Sequence, residues 1–181
     1  MVPCLFFVPT DKRMLMKLPA RLFRHLSLSL ALLAPVAAIA EPSAIYLVRH
    51  GEKMSEHGDP DLSPQGRARA QHVATLLHRV GITGIFHTPT NRTRQTAEPL
   101  AQKTGLTVQV YDPRHPKALV EKVKGLTGAV LVVGHSNTLP ELVRLFGGAP
   151  GADIGDNEYD RLYQLTPGAN GAVNTVLFTT P

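Results

Sequence analysis

Ala44-Ile45-Tyr46-Leu47-Val48-Arg49-His50-Gly51-Glu52 is a short apolar run of strand formers that ends in a cation, an imidazole and a glycine. Working outward, Ser63-Pro64 is a helix start, with Ser as N-cap and Pro in the first turn. Ala70, Val73, Ala74, Leu77 and Val80 then recur at helical spacing until Gly81 stops them. Ile82 to Phe86 reads as a second strand. Asn91 to Lys103 reads as a helix with Asn91 as its N-cap, an apolar face of Ala97, Leu100 and Ala101, and Gly105 as its stop. Thr107 to Tyr111 is a third strand, Pro116 to Lys124 a helix, Ala129 to Val133 a buried strand, and Leu139 to Phe146 a helix ended by Gly147-Gly148. Arg161 to Leu165 and Ala172 to Phe178 are strand-like. Strands alternating with helices predict an α/β fold, a three-layer α/β/α sandwich with a mostly parallel central sheet, in a single domain.

The chain has 181 residues, of which 43% are hydrophobic and 18% charged, which disfavours both disorder and a repeat array. Its one cysteine excludes a disulfide scaffold and any cysteine-based zinc or iron–sulfur site. A net charge of +5 suggests a nucleic-acid partner until the charge is located. Met16 to Ala40 carries Lys17, Arg21 and Arg24, then the apolar stretch Leu26 to Ala40, then Ala38-Ile39-Ala40 before Glu41. That is the three-part order of a secretory signal, and the stretch is shorter than the roughly 20 residues of a membrane span. Residues 1–40 are therefore expected to be an upstream segment plus a signal peptide, with translation starting at Met14 or Met16. Residues 41–181 are expected to be the working domain, periplasmic or otherwise exported. Five basic residues (Lys12, Arg13, Lys17, Arg21, Arg24), one acid (Asp11) and Cys4 lie before residue 41, leaving a thiol-free domain of net charge +1 and no case for nucleic acid.

In open α/β sheets the ligand crevice lies at the carboxyl ends of the strands. Three polar clusters fall there: Arg49-His50, Thr88 to Arg92, and His135 with its neighbours. An imidazole can attack phosphorus without a metal, and an arginine can hold phosphate oxygens in a fork. The helix starting near Asn91 offers backbone N–H groups to an anion, with Arg92 in its first turn. Arg94, two residues on, should face elsewhere as a surface charge.

These residues resemble the histidine phosphatase superfamily, the phosphoglycerate-mutase-like group. The resemblance rests on Arg49-His50-Gly51-Glu52, Leu62-Ser63-Pro64-Gln65-Gly66, Thr88-Pro89 to Arg92 with Gln95-Thr96-Ala97, and Gly134-His135-Ser136-Asn137-Thr138, in that order. It implies that His50 is phosphorylated, that Arg49, Arg92 and His135 hold the phosphoryl oxygens, and that no cofactor or metal is needed. Neutral His50 would attack while a protonated His135 stabilises the transferring group, which predicts a bell-shaped pH profile.

The general acid departs from the family pattern. The mutases carry a glutamate in a longer segment between the second arginine and the second histidine. Here that interval is short, which favours a phosphatase over a mutase. Asp112, after the third strand, is the first candidate and Glu52 the second. Glu98 and Glu121 lie on helices directed away from the crevice. His57, His72, His78 and His115 read as loop or helix-surface residues, His87 as structural support, and the acids between Asp153 and Asp160 as a solvated loop. The expected function is an exported, metal-independent phosphomonoesterase. The alternatives are a phosphate-binding relative without turnover, or a phosphotransferase or mutase. The expected partner is a small phosphorylated substrate, such as the envelope phospho-sugars on which some family members act.

Overall fold

The computed structural model describes residues 41–181. The expectations for the signal peptide and the start of translation lie outside the described residues. Six strands and four helices follow one another as β1 (Pro42–Arg49), α1 (Pro64–Leu77), β2 (Ile82–His87), α2 (Asn91–Thr104), β3 (Val108–Val110), α3 (Pro116–Lys124), β4 (Gly128–Gly134), α4 (Leu139–Leu145), β5 (Arg161–Pro167) and β6 (Val173–Thr179). The sheet order is β3-β2-β4-β1-β5-β6. β3, β2, β4 and β1 pair in parallel, whereas β5 and β6 add on antiparallel. The sheet is mostly parallel, as the alternation of elements predicts.

Successive side chains of a strand point to opposite faces, and β1 shows why its apolar run is unbroken. Ile45 and Leu47 pack with Leu119, Val123, Leu139 and Val143, from α3 and α4. Ala44, Tyr46 and Val48 pack with Val73, Leu77, Ala97 and Leu100, from α1 and α2. Both faces of β1 are thus covered, which yields the three layers. Ser63 caps α1 as expected, its Oγ accepting from the Gly66 N–H at 3.1 Å.

Most elements run one or two residues off the expected bounds, and two of the shifts have a tertiary cause. Asn91 is the first helical residue of α2 and not its N-cap; Thr90 holds that position without a side-chain cap bond. The N–H of Asn91 is instead taken by the Asp59 carboxylate from a distant loop, a contact that local sequence cannot announce. The third strand is shorter than Thr107 to Tyr111, because it sits at the sheet edge and has only β2 to pair with.

Candidate functional site

β1, β2 and β4 are neighbours running in the same direction, so their carboxyl ends share one edge of the sheet. Arg49 stands opposite Gly134, and His87 opposite Val133. His50, Thr88 and His135, each one residue further on, are therefore delivered to the same place. The three polar clusters of the sequence converge as expected.

His50 is 4% exposed. Its backbone N–H donates to Gly134 O at 3.0 Å, and its Nδ1–H donates to Gly51 O at 2.8 Å. With the proton held on Nδ1, the lone pair lies on Nε2. The neighbouring turn is clamped by backbone contact. A Cβ on Gly51 would stand 2.7 Å from Gly66 O, and one on Gly66 would stand 2.2 Å from Glu52 O. Only glycines allow the start of α1 to lie directly on the turn. The Gly51 N–H donates to Thr96 Oγ1, whose own hydroxyl donates to Arg92 O within α2. The histidine loop and the helix carrying Arg92 are thereby joined.

The His135 ring stands edge-on to His50, with centroids 5.2 Å apart. Its Nε2 is hydrogen-bonded to Thr88 Oγ1 at 2.8 Å, and Thr88 shares a hydroxyl network with Thr90 and Thr93. Arg92 reaches Asp59 at 3.3 Å. Arg49 uses Nη1 to donate to Gly155 O and Glu158 O, both at 2.8 Å, and lies over the Tyr159 ring at 4.0 Å. Its Nε–H is buried without a partner among the described residues, a donor available to an anion beside His50. Burial pushes His50 down to about 3, with His135, Arg92 and Arg49 adding to the shift. Burial likewise pushes His135 down to about 4, assisted by Arg92 and Arg49. Both imidazoles are neutral near pH 7, so the protonated His135 expected from sequence needs the added negative charge of a bound phosphate.

Neither acid candidate is hydrogen-bonded to His50, His135, Arg49 or Arg92; each is held by another arginine. Asp112 accepts from the Arg114 side chain at 2.7 Å and from its N–H at 2.9 Å, and it also meets His115. Those hydrogen bonds hold its carboxyl well below the usual carboxylate range. Glu52 is half-buried against Arg69, receiving Nη2–H at 2.7 Å and Nε–H at 3.1 Å. Burial alone would raise its proton affinity, but the Arg69 bonds bring it below the ordinary value. Both carboxylates brace turns. Arg94 pairs with Glu98 along α2, the surface role expected of it. His87 is buried with its ring bonded to Thr88 O.

Sequence reasoning passed over Asp59, Thr88 as a partner of His135, and Tyr159, which also stands 5.9 Å from the His50 ring. Tyr159 is the one aromatic residue in the stretch Asp153 to Asp160, and that was the available signal. Beside His135 a polar cavity of about 590 Å³ opens between α4 and the loop before β5, lined in part by Ser136, Asn137, Arg144 and Asp156. A larger cavity of about 660 Å³ adjoins Pro42, at the opposite end of β1, and its lining is mainly apolar, far from this chemistry.

The sequence profile of the histidine phosphatase superfamily, branch 1, matches residues 45–115. A probable phosphoglycerate mutase of Cronobacter sakazakii is 30% identical over 149 residues, covering 76% of this chain and 64% of that protein. A probable phosphoglycerate mutase of Escherichia coli O139:H28 is 34% identical over 104 residues, or 54% of this chain and 44% of that protein. The chain thus spans less than two thirds of the length of these curated relatives. In structure, a mycobacterial glucosyl-3-phosphoglycerate phosphatase superposes with a TM-score of 0.57 at 15% identity, covering 76% of this chain and 97% of that one. The protein histidine phosphatase SixA, complexed with tungstate, gives 0.57 at 19% identity over 75% and 96%.

Proposed function

Because the chain belongs to the histidine phosphatase superfamily, we propose that it is a metal-independent phosphomonoesterase working through a phosphohistidine at His50. The observation that carries this reading is the tautomer: Nδ1–H is tied to Gly51 O, so the Nε2 lone pair is available beside His135, within reach of the charges of Arg49 and Arg92. Nε2 forms the N–P bond as the bond from phosphorus to the leaving oxygen breaks. Water then attacks phosphorus, and the N–P electron pair returns to Nε2. Arg49, through its unpaired Nε–H, and Arg92 neutralise the phosphoryl oxygens. A dianion beside His135 reverses the depression of its proton affinity and turns the ring into a further donor.

Hydrolysis is favoured over group transfer because only β3 and α3 lie between α2 and β4, which leaves little chain to shield an intermediate from water. The relatives named as mutases are longer than the segment they share with this chain. The basic, apolar and small-residue order of residues 17–40 supports export, and with it a small phosphorylated substrate of the envelope, such as a phospho-sugar.

The test is hydrolysis of p-nitrophenyl phosphate by the full chain in EDTA, with His50→Ala alongside. Activity in EDTA that falls at least about a thousandfold in the variant is the expected result. Activity that survives the substitution would remove His50 as nucleophile. Phosphate binding without turnover in either protein would leave a binding protein.

A further inference from the structure

Among the described residues, one carboxylate is paired with a phosphate-binding arginine, and the others around the site are paired elsewhere. Glu52 is held by Arg69, Asp112 by Arg114, Glu98 by Arg94 and Glu158 by Arg161. None of these four arginines belongs to the phosphate pocket described above. Asp61 accepts from the Gln95 amide at 2.8 Å. Asp59 differs. Its Oδ1 lies 3.3 Å from Arg92 Nη1, and both of its oxygens lie 3.0 Å from the Asn91 N–H. Its charge is also the one carboxylate charge felt by His135.

The position suits the direction of the reaction. His50 is buried at the floor of the site, and an in-line displacement leaves the departing oxygen on the far side of phosphorus, toward solvent. Asp59, 47% exposed and in contact with Arg92, lies on an excursion whose base is closed by pairing of Lys53 with Leu62 and by the Met54 N–H to Asp61 O bond. The excursion's ends are fixed while its solvent-facing carboxyl meets Arg92 and the Asn91 N–H.

The geometry points to Asp59 as the proton donor to the leaving group, a role that rests on the phosphohistidine reading above. A phosphate arriving at Arg92 competes with the carboxylate for the guanidinium. As the Nε2–P bond forms, the leaving oxygen takes the bonding electron pair and the Asp59 proton, and departs as an alcohol. In the second half, the Asp59 carboxylate accepts a proton from the attacking water while the N–P bond breaks. The products are alcohol and inorganic phosphate, with Asp59 protonated again.

Leaving-group dependence separates a proton donor from a residue that merely positions Arg92. p-Nitrophenol leaves readily as an anion, whereas the alkoxide of glycerol phosphate needs a proton. Asp59→Asn in the full chain is expected to lose about 10²–10⁴-fold in kcat/KM on glycerol phosphate, and less than about tenfold on p-nitrophenyl phosphate. Asp59→Glu, which keeps the acid, should recover part of the glycerol phosphate rate. Inhibition by inorganic phosphate should change less than about threefold in Asp59→Asn if the Arg92 site is intact. Equal losses on both esters, or loss of phosphate inhibition, would reduce Asp59 to a positioning residue and overturn the assignment. Unchanged rates on both would place the acid elsewhere. A wild-type chain that hydrolyses neither ester while binding phosphate would fail at the earlier reading of His50, a result distinct from any of these.

Discussion

At the scale of single residues, the site depends on which nitrogen of each imidazole is engaged. His50 is set by one backbone carbonyl and His135 by one hydroxyl, so a single methyl-for-hydroxyl exchange probes the second. Thr88→Val keeps the volume of a fully buried side chain but leaves His135 Nε2 and Thr93 Oγ1 without that partner. It should lower stability by about 1–3 kcal/mol and reduce kcat more than it alters KM, read by thermal unfolding and by steady-state kinetics. A variant as stable and as active as the parent would show that Thr88 does not orient the ring. The convergence of His50, both arginines and His135 was legible from sequence because each adjoins a strong strand or helix boundary signal. The pairing of Asp112 with Arg114 and of Glu52 with Arg69 was not, since a carboxylate near a strand end has many chemically acceptable partners.

Elements meet at the site through contacts that amino-acid patterning describes poorly. Arg69 lies on α1, and its guanidinium joins Glu52, two residues after His50, to Thr180 after β6, donating to Thr180 O at 2.8 Å. Arg49 similarly ties β1 to the loop before β5 by two carbonyls. The closest join is backbone to backbone, where α1 starts against the turn after His50. Gly66→Ala would place a Cβ 2.2 Å from Glu52 O, an overlap with rigid backbone. Overpacking of this kind costs about 1–3 kcal/mol, and it should displace the His50 loop enough to lower kcat/KM. Denaturant unfolding and the p-nitrophenyl phosphate assay would check both effects; an alanine variant indistinguishable from the parent would mean the turn can yield. The Ser63-Pro64 start of α1 was readable from sequence because capping is local. The need for Gly66 was not, since the neighbour it must accommodate lies across the fold.

For the molecule as a whole, two histidines buried as neutral rings make stability depend on pH. In the unfolded chain a histidine titrates near 6.5, but in the folded protein His50 and His135 titrate at about 3 and about 4. Between roughly pH 6.5 and 4 the unfolded chain therefore binds protons that the folded chain does not. Stability should be fully present above 6.5 and decline as pH falls through that window, by up to about 1.4 kcal/mol per pH unit for each ring. Unfolding in denaturant at pH 7 and pH 5 would show the decline, and the double substitution His50→Gln with His135→Gln should reduce it, leaving the share of His87, whose proton affinity burial also lowers; an unchanged slope would mean that other groups set the dependence. The order of strands and helices, the covered faces of the sheet and the gathering of Arg49, His50, Arg92 and His135 at one sheet edge all follow from patterns of period, capping and strand ends, which are local and therefore written in the sequence. The partners of Glu52, Asp112, Asp59 and Tyr159 do not, because a carboxylate or an aromatic ring has many chemically acceptable neighbours and only the packing of distant elements selects one.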